Sequence, residues 1–264
     1  MPRRRFYASP DEITGSIVTL STHETHHLVH VLRMTPGDEA FVTDGCGREY
    51  RCTFRRIEGN RAHLDIDETL SDVVESPLQI TLAQALAKGE KFDFIIQKAT
   101  ELGVSAIVPL MTRYADVRLD DQQKLTRLER WRRISLEAMK QCGRRKLVEI
   151  TTPRTLREFI AECVPPSSGI SAVSADNQQE LWLFCELGGA SVTDALGKMS
   201  ARGRVSALIG PEGGWSDDEL DALREGGCRA VNLGPRVLRT ETAAIVAITL
   251  IQHAIGDLST PPVE

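Results

Sequence analysis

The stretch VSALIGPEGGWSDDELDALREGGCRAVNLGPRVLRTETAAIVAITLIQHAI, residues 205–255, runs through one pattern twice. A short apolar run ends in the glycine-rich loop IGPEGGW (209–215), and a helix opens behind it, marked by the S-x-x-E spacing of Ser216 and Glu219. A second apolar run ends in LGPRVLRTETA (233–243), and a second helix follows over 240–255. That helix is apolar on nearly every side, which predicts burial on more than one face. Thr240 is placed to cap it. Strand, loop and helix repeated in this order predict an α/β layer with a mostly parallel sheet. Ligands of such sheets bind beyond the carboxyl ends of the strands, where both loops fall.

Working outward, PLQITLAQAL (77–86) reads as a buried strand. Residues 91–102 carry Phe92, Ile95, Ile96, Ala99 and Leu102 at the i, i+3, i+4, i+7 spacing of one helical face. VSAIVPL (104–110) reads as another strand. A long helix is predicted over 121–142, with Leu125, Leu128, Trp131, Ser135, Ala138 and Cys142 on one stripe. Residues 155–200 fit no single pattern: 165–169 reads as a loop, and Gly188-Gly189 breaks the chain again. Before the composition break at Ser76-Pro77 the chain is β-rich, with short segments at 16–20, 39–44, 50–57 and 61–66. Turn signals at Pro36-Gly37-Asp38, Asp44-Gly45 and Gly59-Asn60 separate them, and one helix over 22–33 follows a cap at Ser21 or Thr22. The expectation is a small β-barrel with a helix over 1–74 and an α/β domain over 75–264.

Composition narrows the class. With 264 residues, 41% hydrophobic and 26% charged, the chain has enough apolar content for a core. No apolar run approaches the ~20 residues of a membrane span, and the N-terminal dozen lacks a signal-peptide core. The six cysteines form no C-x-x-C pair, so they are expected to be reduced, which points to the cytoplasm. Net charge is −5, but it is unevenly spread. Residues 124–146 hold nine basic side chains against two acidic ones, and 155–228 hold five against twelve. Such a basic segment attracts a phosphate backbone or simply forms a solvated helix face.

The loops at 209–215 and 233–243 match neither G-x-G-x-x-G nor a P-loop. Spacing alone leaves open two walls of one ligand pocket or two structural turns. His23, His26, His27 and His30 share helical spacing, but no carboxylate or cysteine completes a metal site, and none is expected.

Together these motifs resemble the RsmE-type family of SPOUT-superfamily methyltransferases. IGPEGGW and LGPRVLRTETA are similar to its C-terminal signature. KGEKFDFIIQKATELGV (88–104) resembles its first methyltransferase motif, and Trp131, Glu137-Ala138 and Gln141-Cys142-Gly143-Arg144 its central helix. Arg5-Phe6, His27, Val31-Leu32-Arg33 and Gly37-Asp38 resemble its N-terminal RNA-binding domain. The resemblance implies a PUA-like β-barrel followed by a SPOUT α/β domain with a trefoil knot. It implies a homodimer that uses S-adenosyl-L-methionine (SAM) to methylate N3 of one uridine in 16S rRNA, within the 30S subunit. For the cofactor it points to Ile209, Gly210, Gly213, Gly214, Leu233, Gly234, Leu238, Arg239, Thr240 and Ala243. For catalysis, position in the loops points to Arg239 as anion stabiliser and to Glu241 or Glu212 as base. Arg3, Arg4, Arg5, Arg33, Arg132, Arg133, Arg144 and Arg145 are the expected RNA contacts, and Lys88, Gln97 and Glu101 the expected pocket supports. A SPOUT enzyme acting on tRNA or a ribose 2′-oxygen, and a non-catalytic ribosome-assembly factor, are the competing readings.

Overall fold

The computed structural model describes residues 3–71, 74–115, 117–163, 180–197 and 199–258. The expected loop at 165–169 lies outside the described residues. The chain divides into two compact units, one built from the residues up to Glu75 with Leu136–Leu147, the other from Ser76–Ser135 and the chain from Val148 onward.

The first unit contains β1 (Arg5–Tyr7), β2 (Ile13–Thr14), β3 (Ile17–Thr19), α1 (Thr22–His26), β4 (Glu39–Thr43), β5 (Glu49–Glu58) and β6 (Arg61–Leu70). They form one sheet in the order β1-β4-β5-β6-β3-β2, antiparallel except for the β1–β4 pair. Among the described residues the pairings form an open path, a curled half-barrel instead of a closed ring. Alternation builds its core: Tyr50, Cys52 and Phe54 of β5 and Ala62 and Leu64 of β6 point inward onto Phe6, Val18 and Leu28. The β5–β6 hairpin turns at Gly59-Asn60, as expected, and two register shifts bend it. The helix expected over 22–33 is shorter. Ser21 caps α1 by accepting from the Glu24 N–H at 3.2 Å, but after His26 the backbone widens into a π-turn over His27–Val31.

The second unit begins with β7 (Gln79–Ala85), α2 (Lys91–Glu101), β8 (Ala106–Met111) and α3 (Asp121–Cys142), whose last turns pack in the first unit. It continues with β9 (Glu149–Ile150), β10 (Arg154–Thr155), α4 (Leu156–Cys163), β11 (Glu180–Ser191), α5 (Val192–Leu196), β12 (Arg204–Ile209), α6 (Asp217–Glu225), β13 (Arg229–Asn232) and α7 (Thr240–Ile255). The sheet order is β10-β8-β7-β12-β11-β13, with β9 also on β8, and every pairing is parallel.

Both faces of this sheet are covered. Leu181 and Leu183 of β11 and Val205, Ala207 and Ile209 of β12 face one apolar layer with Phe92, Trp131 and Ile248. The residues between them, Trp182, Phe184 and Leu208, face the other with Phe159 and Leu223. This period of two places helices on both sides of a parallel sheet. Trp131 packs on Phe92 with ring centroids 4.6 Å apart. The α3 stripe is shorter than expected: Leu128, Trp131, Ser135 and Ala138 are buried, whereas Leu125 and Cys142 are exposed. Burial of Ala244, Ala247, Ile248, Ile251 and Gln252 matches the apolar reading of α7.

Candidate active site

β12 and β13 both end at the carboxyl edge of the sheet, with β11 between them. The loops that leave them close around a pocket of about 370 Å³. Of the residues expected to hold a cofactor, Ile209, Gly210, Gly214, Leu233, Gly234, Leu238, Thr240 and Ala243 line it. Gly213 and Arg239 are not among the lining residues. Gly213 instead packs on Tyr114, and Arg239 stands exposed at the N-cap of α7.

The third wall comes from β11, within a region the sequence leaves unread. Its pairing with β13 shifts register between Cys185 and Ala190, and the extra residues bulge out. Cys185, Glu186 and Leu187 line the pocket there. Gly189 permits this geometry: a Cβ at that position would lie 2.5 Å from the backbone of Ala230 and Val231. The Gly188-Gly189 pair was the available signal. Trp215 Nε1–H donates to the Cys185 carbonyl at 3.3 Å and ties the first loop to this wall. The Trp215 ring lies over Gly210, where a Cβ would meet it at 3.1 Å. Burial pushes the Cys185 thiol up to about 12.

A buried polar chain joins the two loops. Gln84 Nε2 donates to Thr240 Oγ1 at 2.9 Å, and Thr240 Oγ1 donates to the Gly210 carbonyl at 2.9 Å. Thr240 is therefore not the helix cap expected of it; it is the first residue of α7, and Arg239 at the cap makes no side-chain capping bond. The Ser216–Glu219 capping box does form, with the Glu219 carboxylate accepting from the Ser216 N–H at 2.9 Å.

The charged residues sort themselves. Lys91, at the start of α2, pairs with Glu212 of the first loop. That bond, aided by the negative charge of Glu241 and opposed by Arg239, holds the Lys91 ammonium above its ordinary pKa. Glu241 keeps one oxygen, Oε2, buried with no hydrogen-bond partner among the described residues. Lys88, Gln97 and Glu101 do not line the pocket; Gln97 is exposed and Glu101 is paired with Lys98 at 2.9 Å.

The expected RNA contacts also divide. Arg3, Arg4, Arg33, Arg132 and Arg133 are exposed. Arg5 is mostly covered and bonded to Glu49 at 2.9 Å. Arg144 and Arg145 are corrections: they are buried side chains, 8% and 2% exposed, in ion pairs with Glu75 at 2.8 Å and Glu49 at 3.1 Å. Desolvated guanidinium groups already held by carboxylates cannot meet a phosphate backbone. His23, His26 and His30 are exposed, His26 and His30 stack with centroids 4.6 Å apart, and His27 packs edgewise on Phe6. Among the described residues no three His, Cys, Asp or Glu side chains converge as a metal site. No helix among them is long and apolar enough to cross a membrane.

Comparison with known proteins fits this site. The RNA methyltransferase domain family matches residues 74–252, and the RNA methyltransferase PUA domain family matches residues 20–67. A Synechocystis protein named ribosomal RNA small subunit methyltransferase E is 35% identical over 94% of this chain and 76% of its own length. The Aquifex aeolicus protein of the same name is 32% identical over 94% and 98%. The Neisseria gonorrhoeae ribosomal RNA small subunit methyltransferase E, solved with S-adenosyl methionine, superposes with a TM-score of 0.83 at 32% identity, covering 97% of this chain and 99% of that one. A Legionella pneumophila methyltransferase solved with SAM gives 0.85, also at 32% identity, covering 98% and 100%. With two thirds of its length matched by the domain family and such relatives along nearly all of it, this chain belongs to the RNA methyltransferase family whose members include ribosomal RNA small subunit methyltransferase E.

Proposed function

We propose that this protein methylates N3 of a single uridine in 16S rRNA, with SAM as methyl donor. The observation that carries the proposal is the convergence of the 209–215 loop, the 233–243 loop and the β11 bulge on one pocket. Its volume, about 370 Å³, lies in the range of small-ligand sites. Leu187, Ile209, Trp215 and Leu238 supply apolar walls, and Gly210 lets the backbone approach closely under Trp215. These features suit an adenosine and a sulfonium-bearing aliphatic chain. SAM, when bound, supplies a methyl group on a sulfonium, which needs no further activation as a leaving group.

The chain's own residues have the remaining work. Uracil N3 carries a proton near neutrality, so it must be deprotonated before it can attack. Glu241 is the better base of the two expected carboxylates, because Glu212 is engaged by Lys91 while Glu241 Oε2 is buried with no partner among the described residues. Arg239, beside it and exposed, stabilises the anion on the uracil oxygens. Holding the uracil beside the donor would supply much of the rate.

Arg3, Arg4, Arg33, Arg132 and Arg133 position the RNA through phosphates without reading sequence. Ile245 and Val246 are only partly buried on α7 and Leu250 is 37% exposed, which supports a homodimer covering that helix. The trefoil knot, with both loops in it, is part of the same proposal. The 30S particle in the cytoplasm is the proposed setting. Mass spectrometry of 16S rRNA nucleosides from a deletion strain tests the assignment. Loss of one 3-methyluridine, restored by this protein, is expected. An unchanged profile, or a lost tRNA or 2′-O mark instead, overturns it. Calorimetry with SAM separates an enzyme from an assembly factor, which would show no heat.

A further inference from the structure

We infer that Gln84, which is not among the residues lining the pocket, is a positioning residue for the methyl-donor site; this rests on the SAM reading above. Gln84 lies near the end of β7 and is fully buried, and its Cα pairs in register with Ile209, the last residue of β12. Its Nε2 donates to Thr240 Oγ1 at 2.9 Å and to the Ala85 carbonyl at 3.0 Å. Directionality fixes the chain of bonds. The Gly210 carbonyl can only accept, so the single proton of the Thr240 hydroxyl goes there. The Thr240 oxygen then has only acceptor capacity left, which the Gln84 amide fills.

The other end of the amide shows what it is for. Gln84 Oε1 is buried without a hydrogen-bond partner among the described residues. Leucine or methionine would fill the same space without desolvating a carbonyl oxygen. An interior strand position that keeps this amide therefore keeps it for the donor end. Through it, β7 pins the first residue of α7, and that residue pins the exit of β12. Gly210 and Thr240 both line the pocket, and Arg239 and Glu241 flank Thr240 in the chain. One buried amide thus sets the spacing of both loops and the starting direction of α7.

The test is calorimetric titration of SAM into the full chain carrying Gln84→Met, Thr240→Val, both, or Thr240→Ser, with thermal melts as folding controls. Each of the first two variants should weaken SAM binding by about tenfold, as loss of one buried hydrogen bond with an orphaned partner implies. The double variant should bind no more weakly than the weaker single, because both cut the same chain. Thr240→Ser, which keeps the hydroxyl, should recover most of what Thr240→Val loses. In turnover assays the KM for SAM should rise while the KM for RNA holds, a split that general loosening would not give. If the Gln84 variant does not fold, the Thr240→Val and Thr240→Ser pair decides by the same comparison. Gln84→Met binding SAM within twofold of wild type, or losses that multiply in the double variant, overturn the inference alone. A wild-type chain that binds no SAM overturns the pocket assignment and this inference with it.

Discussion

Lys140 of α3 and Glu24 of α1, 116 positions apart in the chain, meet at 2.7 Å with both side chains almost sealed from water. Tyr7 N–H donates to the other oxygen of Glu24 at 3.3 Å, and Glu137 lies 2.8 Å from the same ammonium. One of the nine basic residues of the 124–146 segment is thus a structural tie inside the first unit. Replacing Lys140 with Met leaves Glu24 charged, buried and short of its partner. The expected loss is about 3 kcal/mol, the usual cost of breaking one side of a buried pair. Urea unfolding measures it, and replacing Glu24 and Lys140 together with apolar residues should recover much of the loss. A Lys140→Met chain as stable as wild type would show that the pair is open to solvent.

Arg132 and Arg133 should behave differently from Arg144 and Arg145 in RNA binding. Each of the exposed pair, changed to Gln, should lower the slope of log affinity against log salt by about 1 while leaving unfolding unchanged. Gln at Arg144 or Arg145 should instead destabilise the fold by removing a buried cationic partner of Glu75 or Glu49. Filter binding over a salt series, paired with urea melts, separates the two classes. A lowered salt slope with intact stability for Arg145→Gln would contradict its burial.

Glu241→Gln should lower kcat by about 10² to 10⁴ while SAM still binds, since it removes a proton acceptor and little contact area. Glu212→Gln should cost less, because its carboxylate is spent on Lys91. Single-turnover assays with 30S particles measure both. Equal losses for the two variants would assign the base role to neither.

Thiol reactivity should follow burial. The thiols of Cys52, Cys185 and Cys228 are pushed up to about 12 by desolvation, so they stay protonated and unreactive at neutral pH. Cys46 and Cys142 are exposed. Brief iodoacetamide treatment followed by peptide mass spectrometry should label these two and spare the other three. Ready labelling of Cys185 in the native protein would mean that the bulged wall of the pocket opens.

The turn at Pro36-Gly37-Asp38 carries an acid-sensitive contribution. The Thr35 N–H donates to Asp38 Oδ2 at 2.7 Å, and this bond is the main reason the Asp38 carboxyl sits below its ordinary pKa; the Thr35 hydroxyl and Arg4 add to it. A lowered folded-state pKa adds stability above the unfolded pKa and loses it as pH falls through the folded one. Asp38→Asn should therefore be less stable than wild type at pH 7, with the gap closing below about pH 4. Urea melts at both ends of the range test the sign. A gap that widens in acid would refute it.

What the sequence revealed follows from how local each signal is. The bounds of α3 and α7, and most of α2, follow from spacing within one helix face. The strands β7, β8, β12 and β13 follow from short apolar runs that end at turn residues. The two pocket loops are legible because both sit directly at strand ends. Other features depend on distant partners. The roles of Arg144 and Arg145 depend on Glu75 and Glu49, 69 and 96 positions away, and no local pattern carries that information. β11 was hidden because Leu181 to Phe184 are all buried, so alternation disappears, and because the glycines that follow look like an ordinary break. The π-turn after α1 interrupts a sequence that reads as one continuous helix. Gln84 escaped notice because a glutamine in an apolar strand gives no hint of the threonine 156 positions later that it holds.

The bulge in β11 has an implication for how this pocket can change over evolution. Cys185 on one side of it and Ala190 on the other both pair with Val231, so each flank is anchored to the same partner residue. Insertions or deletions within 186–188 would lengthen or shorten the looped-out segment without sliding either flank along β13. Ligand preference could then drift by small changes in chain length at this one place, with the sheet itself indifferent to them.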